Sequence, residues 1–183
     1  MDKFIVLDTE TTWDNRLMSI GAVIVDAITY QQLDAKYYIL TPEYKTGGMY
    51  SYALRIKGIK GPVVCSREKA IKNLIKCFAL HNVGSIFAYN ASFDYSLLPE
   101  FTAFNWYDIM RIAAYVQYNH KIPSGLPLCS TGRLKSGYGV EAMLRMLSGD
   151  NTYCETHNAL IDAMDELRIM MLLGYPLEKY FKL

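Results

Sequence analysis

Long apolar runs are missing from this chain. Its longest stretches fall far short of the roughly 20 residues that a membrane-spanning helix needs, so no membrane partner is expected. The opening residues Met-Asp-Lys-Phe lack a basic n-region, and the apolar run after them meets an acid at Asp8, so a secretory leader is not expected. Cysteine is sparse and unpaired in pattern: Cys65, Cys77, Cys129 and Cys154 form no C-x-x-C, which argues against a disulfide framework or a zinc ribbon. They read as reduced thiols of a cytoplasmic protein. Low-complexity tracts, internal repeats and an interdomain linker are absent too, so residues 1–183 read as one domain with room for a substantial core.

An excess of either charge is also lacking. The net charge is +1, which excludes a globally basic polyanion binder. The basic residues are nevertheless clustered. Residues 55–76 hold Arg55, Lys57, Lys60, Arg67, Lys69, Lys72 and Lys76 against Glu68 alone. Residues 111–145 hold Arg111, Lys121, Arg133, Lys135 and Arg145 against Glu141. Such blocks suit either a solvated helix face or a path for phosphates.

What is present is a pattern of strands followed by alternating strands and helices. Residues 3–7, apolar from Phe4 on, predict a strand buried on both faces. Residues 17–25 and 33–40 predict two more, giving an antiparallel meander. Residues 41–62 read as a connection. Ser66 caps a predicted helix reaching to about 81, with Ala70, Leu74, Cys77 and Phe78 at helical spacing. A short strand is expected at 85–89, a short helix at 92–98, helices at 107–118 and 140–147, and a loop at 123–139. The last long helix, 158–173, is apolar nearly all round and belongs in a core. The order suggests a mixed sheet covered by helices.

Against this background, the stretch FIVLDTETT (4–12) places Asp8 and Glu10 two apart at the end of a buried strand. Alternation puts both on one face, where they repel each other unless a cation lies between them. The plain alternative is that Asp8 caps a turn and Glu10 is solvated. Asp94 falls in the first turn of the 92–98 helix, where the helix dipole alone would favour it. Asp162 lies inside the apolar helix with no basic residue within a turn, and a buried unpaired carboxylate costs several kcal/mol. Shared metal coordination would resolve that cost. Asp165 and Glu166, one turn on, are expected at the exposed edge of the helix. His157, near the helix start, is either structural or a general base beside a metal site.

Three segments together carry a resemblance: Asp8-Thr9-Glu10-Thr11-Thr12, Asn90-Ala91-Ser92-Phe93-Asp94, and His157-Asn158-Ala159-Leu160-Ile161-Asp162-Ala163. In that order, on those elements, they resemble the three motifs of the DEDD exonucleases. The H-x-x-x-x-D spacing is similar to the DEDDh branch, the DnaQ-like 3′–5′ exonucleases that include polymerase proofreading subunits, RNase T and oligoribonuclease; the other branch carries Tyr in place of His. Arg55-Ile56-Lys57-Gly58-Ile59 and the Asp108 of Trp106-Tyr107-Asp108-Ile109 resemble the family's flanking segments. Trp13 departs from the D-x-E-T-T-G form, where Gly is usual, and either alters how a terminal base is held or closes a loop.

The resemblance implies an RNase H-like α/β fold with a mixed five-stranded sheet flanked by helices. It implies a two-metal phosphodiester hydrolysis from the 3′ end of single-stranded DNA or RNA, releasing 5′-mononucleotides. Asp8, Glu10, Asp94 and Asp162 would hold the ions, Mg²⁺ with Mn²⁺ able to substitute, and His157 would be the base. Thr11, Thr12, Asn90 and Phe93 become candidates for holding the substrate, with core packing the plainer reading of Phe93. The resemblance leaves the setting open between a homodimer, a polymerase complex and a chain that acts alone. A catalytically silent nucleic-acid-binding module of the same fold is the alternative. A phosphatase loop at 129–135 is a weaker rival, because the position expected to hold Arg is Lys135; no G-x-S-x-G is present.

Overall fold

A computed structural model describes residues 2–56 and 61–182. The meander forms as expected: β1 (Lys3–Thr11), β2 (Leu17–Asp26) and β3 (Gln32–Leu40) pair antiparallel. A three-residue strand β4 (Val63–Cys65) follows, then helix α1 (Arg67–Leu80), strand β5 (Ser85–Ala88) and helix α2 (Ser92–Leu97). Strand β6 (Asn105–Asp108) leads into the short helix α3 (Met110–Ala113). Helices α4 (Val140–Ser148) and α5 (Ala159–Leu173) complete the fold. Among the described residues the sheet has six strands, in the order β4-β3-β2-β1-β5-β6, with the outer pairings parallel.

Two strands were hidden from sequence reasoning. Strand β4 is only three residues long and abuts the Ser66 cap of α1, whose hydroxyl accepts from the Lys69 N–H at 3.3 Å. The expected helix at 107–118 is instead the end of β6, the single turn α3 and an irregular stretch bridged from Tyr115 to Arg133. Ile109, Ile112 and Ala113 are buried at helical spacing, which mimics a longer helix. The Lys57-Gly58-Ile59 part of the segment resembling the family's, with Lys60, lies outside the described residues. No helix among the described residues is long and apolar enough to cross a membrane.

Strand alternation divides the core in two. Phe4 and Val6 of β1 pack on one face against Ala159, Leu160, Ala163 and Leu167 of α5. Ile5 and Leu7 pack on the other against Ala70, Ile71, Leu74 and Phe78 of α1. Asp8 and Glu10 continue the Phe4–Val6 side, so the strand's own pleat turns them toward α5.

At Gly21 the N-terminal end of α5 sits directly on the backbone of β2. A Cβ at Gly21 would lie 2.1 Å from the Ala159 carbonyl oxygen and 2.4 Å from the Leu160 nitrogen. Gly21 is the direct partner of Asp8 across the β1–β2 ladder, so the closest backbone contact of α5 falls beside the acids. Gly21→Ala is expected to cost about 3 kcal/mol by overpacking and to lower Tm by about 6–12 °C. A thermal melt checks this; a Tm within about 1 °C of the parent would show that the helix can shift freely.

Candidate active site

The three acidic segments meet at one end of the sheet. The turn after β5 is held by Asp108, whose Oδ1 accepts from the backbone N–H groups of Asn90 and Met110, each at 2.9 Å. Asn90 adopts a positive φ of 63°, a conformation Asn tolerates better than most residues. The chain thus reverses into α2 and sinks Asp94, which is 2% exposed. The Thr9 hydroxyl donates to Asp94 Oδ1 at 2.7 Å, tying the second segment to the first.

The third segment is set by Asn158. Its Oδ1 accepts from the Leu160 and Ile161 N–H groups, capping α5. Its Nδ2 donates to the Tyr37 hydroxyl at 3.0 Å and the Ala53 carbonyl at 2.7 Å. Asn158 is fully buried. This clamp aims Asp162 into the protein and leaves His157 just outside the helix, with φ at 56°. The His157 ring stacks on Tyr50, centroids 3.8 Å apart and planes 15° from parallel. One donor atom each from Glu10, His157 and Asp162 lies within 4.8 Å of both others.

The electrostatics of this cluster are one-sided. Burial pushes Glu10 up to about 8, with Asp162 and Glu155 adding repulsion. Burial likewise raises Asp162 to about 8, helped by Glu155 and Asp165 and opposed by the His157 and Asn158 backbone N–H groups. Asp94 rises to about 7 by burial, against the hydrogen bond from Thr9. Asp8 is raised strongly, first by burial and then by Asp94, Glu166, Asp162 and Glu10. Among the described residues, none of these acids is ion-paired. Asp8 Oδ2, Asp162 Oδ1 and Glu166 Oε2 are shut off from solvent with no hydrogen-bond partner.

Orphaned carboxylate oxygens converging without a basic residue are what a hard divalent cation completes, and an all-oxygen acid set suits Mg²⁺ or Mn²⁺. His157 shifts the opposite way: burial lowers it, against the pull of Glu141, so the neutral imidazole is favoured.

Glu166 corrects the expectation of an exposed edge. It is 1% exposed and Asp165 9%, both buried. Glu166 lies four residues after Asp162, hence on the same side of α5, and its carboxyl is raised well above the usual range by burial and then by Asp94. Asp165 is satisfied instead, accepting from the Tyr153 hydroxyl. The i, i+4 spacing from Asp162 was the available sequence signal; the buried face of α5 is broad enough to take in both positions, leaving Arg168 and Met171 exposed. Asn158 and Tyr50 carried no comparable signal, because their partners come from distant segments.

The proposed substrate residues divide. Phe93 is 44% exposed beside Asp94 rather than packed in the core. Thr12 is spent on the β1–β2 turn: its N–H donates to the Arg16 carbonyl at 2.8 Å, and its hydroxyl donates to Asp14. Thr11 is half-buried and Asn90 exposed. Trp13 takes the loop-closing role of the two considered for it. Its N–H closes the turn onto the Gly47 carbonyl at 3.1 Å, while its ring stays exposed. The 129–135 stretch is a hairpin tip, not an anion cradle: the Cys129 and Gly132 N–H groups bond to Arg133 and Cys129 carbonyls. Of the basic stretches, Arg67 is taken up by Glu100 and the Leu97 carbonyl, and α1 lies on the sheet face opposite α5.

No family model and no curated protein matches the chain. Solved structures do. Full-length 3′-exonuclease superposes with a TM-score of 0.66 at 19% identity, covering 96% of this chain and 62% of that one. The nuclease domain of 3′hExo, a DEDDh family member bound to rAMP, gives 0.65 at 18%, covering 94% and 93%. E. coli Exonuclease I with a dA16 oligonucleotide gives 0.62 at 15%, covering 100% and 42%. This chain therefore spans under two thirds of the first and third of these proteins. The likeness establishes the RNase H-like fold of these exonucleases, here with six strands.

Proposed function

We propose that this chain, which carries the fold shared by the DEDDh 3′-exonucleases, is a metal-dependent 3′–5′ exonuclease acting on single-stranded nucleic acid ends. The observation that carries the reading is the convergence of Asp8, Glu10, Asp94 and Asp162, from three distant segments, with a buried carboxylate oxygen of Asp8 and one of Asp162 lacking partners. Its four cysteines are free thiols, in keeping with a cytoplasmic setting.

Asp8, Glu10, Asp94 and Asp162 would hold two divalent ions. Such ions, when bound, acidify a water and stabilise charge on the phosphate and the leaving 3′ oxygen. The protein's own groups do the rest. Thr9 and Asn158 keep Asp94 and Asp162 in register. Asp108 keeps the turn before Asp94 closed. A His157 ring nitrogen, within reach of Glu10 and Asp162, accepts the proton of the attacking water. Tyr50 holds the imidazole plane by stacking on it. Phe93, Trp13 and Tyr52 expose aromatic faces to solvent, and base stacking on such faces is tolerant of sequence.

The direct test uses 5′-labelled single-stranded DNA and RNA of matched sequence with Mg²⁺, Mn²⁺ or EDTA. The expected result is a ladder shortening from the 3′ end, with 5′-mononucleotides released and nothing cut in EDTA. The polymer degraded faster names the substrate class. No ladder on either polymer with either metal overturns the reading in favour of a binding module. A His157→Asn variant separates base from ligand. Its rate is expected to fall about a hundredfold, with Mg²⁺ still raising Tm; loss of that rise would make His157 a ligand.

A further inference from the structure

A second group of metal-type donors lies on the other face of the sheet. Cys77 and His81 are four residues apart at the C-terminal end of α1, so they share one side of the helix. Asp34 stands near the start of β3, the strand beneath that end. One donor atom from each of the three lies within 4.8 Å of both others. Cys77 is buried, and Asp34 and His81 are half-buried. His81 Nε2 is 3.8 Å from Asp34 Oδ2.

Tetrahedral zinc, with bonds of about 2.0–2.3 Å, sets neighbouring donors roughly 3.3–3.8 Å apart. His81 and Asp34, 3.8 Å apart, already meet that spacing, and no pair of the three exceeds it by more than about 1.5 Å. The donor types matter as much. A thiol, an imidazole and a carboxylate form a borderline-soft set, which selects ions of the zinc class over Mg²⁺. The acids at the other site are oxygen donors, so the two sites discriminate between ions.

One neighbour opposes a cation. Lys36 Nζ lies 2.5 Å from Asp34 Oδ2, while Asp34 Oδ1 accepts from the Ala35 N–H at 2.7 Å. Lys36 is a monovalent stand-in on a flexible stem, about 29% exposed and able to swing into solvent. Its presence holds the carboxylate under α1 when no ion is bound.

We propose that Asp34, Cys77 and His81 form a site for a zinc-class divalent ion, with water in the fourth position, that ties the end of α1 to β3. Binding moves Lys36 off Asp34, and the thiol proton of Cys77 leaves to solvent as the sulfur–metal bond forms. The site is separate from the exonuclease centre. Asp34 pairs with Ile24, which pairs with Ile5, three residues before Asp8 along β1. α1 also covers the face opposite α5.

The test titrates metal-stripped full-length chain with Co²⁺ in excess Mg²⁺, which occupies the carboxylate centre. One equivalent is expected to give the near-ultraviolet thiolate-to-cobalt charge-transfer band, and Zn²⁺ to erase it. Cys77→Ser should abolish the band, and His81→Ala and Asp34→Ala each weaken binding at least tenfold. Lys36→Ala should tighten it, and Asp162→Asn should leave it unchanged. A wild-type chain without the band overturns the proposal, with no variant needed. So does a band that survives Cys77→Ser, or one indifferent to both His81→Ala and Asp34→Ala.

Discussion

Asp162→Asn is expected to slow 3′-end cleavage by about a thousandfold or more, while making the metal-free protein more stable. The rate loss follows from the proposed role of Asp162, because the variant would lose a charged ligand to an ion that would contribute several kcal/mol to the transition state. The stability gain has a separate cause. Asp162 is buried, unpaired at Oδ1 and raised to about 8 by burial and by Glu155 and Asp165. Asn keeps the shape and removes the charge, so the repulsion with the surrounding acids disappears. A merely structural acid would show the reverse, with stability lost on substitution. Denaturant midpoints and single-turnover rates, measured on the same preparations in EDTA and in Mg²⁺, check both halves. Undiminished cleavage by the variant would remove Asp162 from the centre.

The second large effect is a pH-dependent dependence on metal. Glu10 and Asp162 sit at about 8 and Asp94 at about 7, all above their ordinary values near 4. The folded protein thus binds more protons than the unfolded chain. The sign follows by linkage: this stabilisation is full below about pH 4 and is lost as pH rises through 7 and 8. A divalent ion replaces those protons. Mg²⁺ at 100 times its Kd adds about 2.7 kcal/mol, which is about 5–10 °C in Tm for a chain of this size. That rise is expected at pH 8.5 and should shrink to almost nothing at pH 5, where the ion must displace protons. A Tm indifferent to Mg²⁺ at pH 8.5 would mean that the acids are not a metal centre. Glu166→Gln should reduce the destabilisation at high pH as well, because Glu166 bears directly on Asp8.

How far the site could be read from sequence depended on locality. Asp8 and Glu10 were legible because strand alternation is a period-two rule and the run before them is plainly apolar. Asp162 was legible because a lone acid in an apolar helix is costly. Glu166 obeys the same logic, but its adjacency to Asp165 made both look like a polar edge. The burial of both, with Glu166 1% exposed, shows that this side of the helix is interior. Asn158 capping α5 while bonding Tyr37 and Ala53, Tyr50 under His157, and Asp108 closing the Asn90 turn are long-range pairings that no periodicity encodes. The fold was legible in its long elements and not in its edges. β4 and β6 are three and four residues long, and parallel partners of that length are recruited by the sheet more than specified by their own residues.

The position of α5 has a temporal meaning. It is the last long helix in the chain, it carries Asp162, and it covers the apolar face formed by Phe4, Val6 and their neighbours. During synthesis from the N-terminus, Asp8, Glu10 and Asp94 emerge well before the residue that completes their cluster. A nascent chain at that stage is a half-covered sheet with three uncompensated acids, sticky but inert. Sealing the hydrophobic face and bringing Asp162 to the other three acids are then one docking event, so the proposed exonuclease centre would assemble only as the core closes.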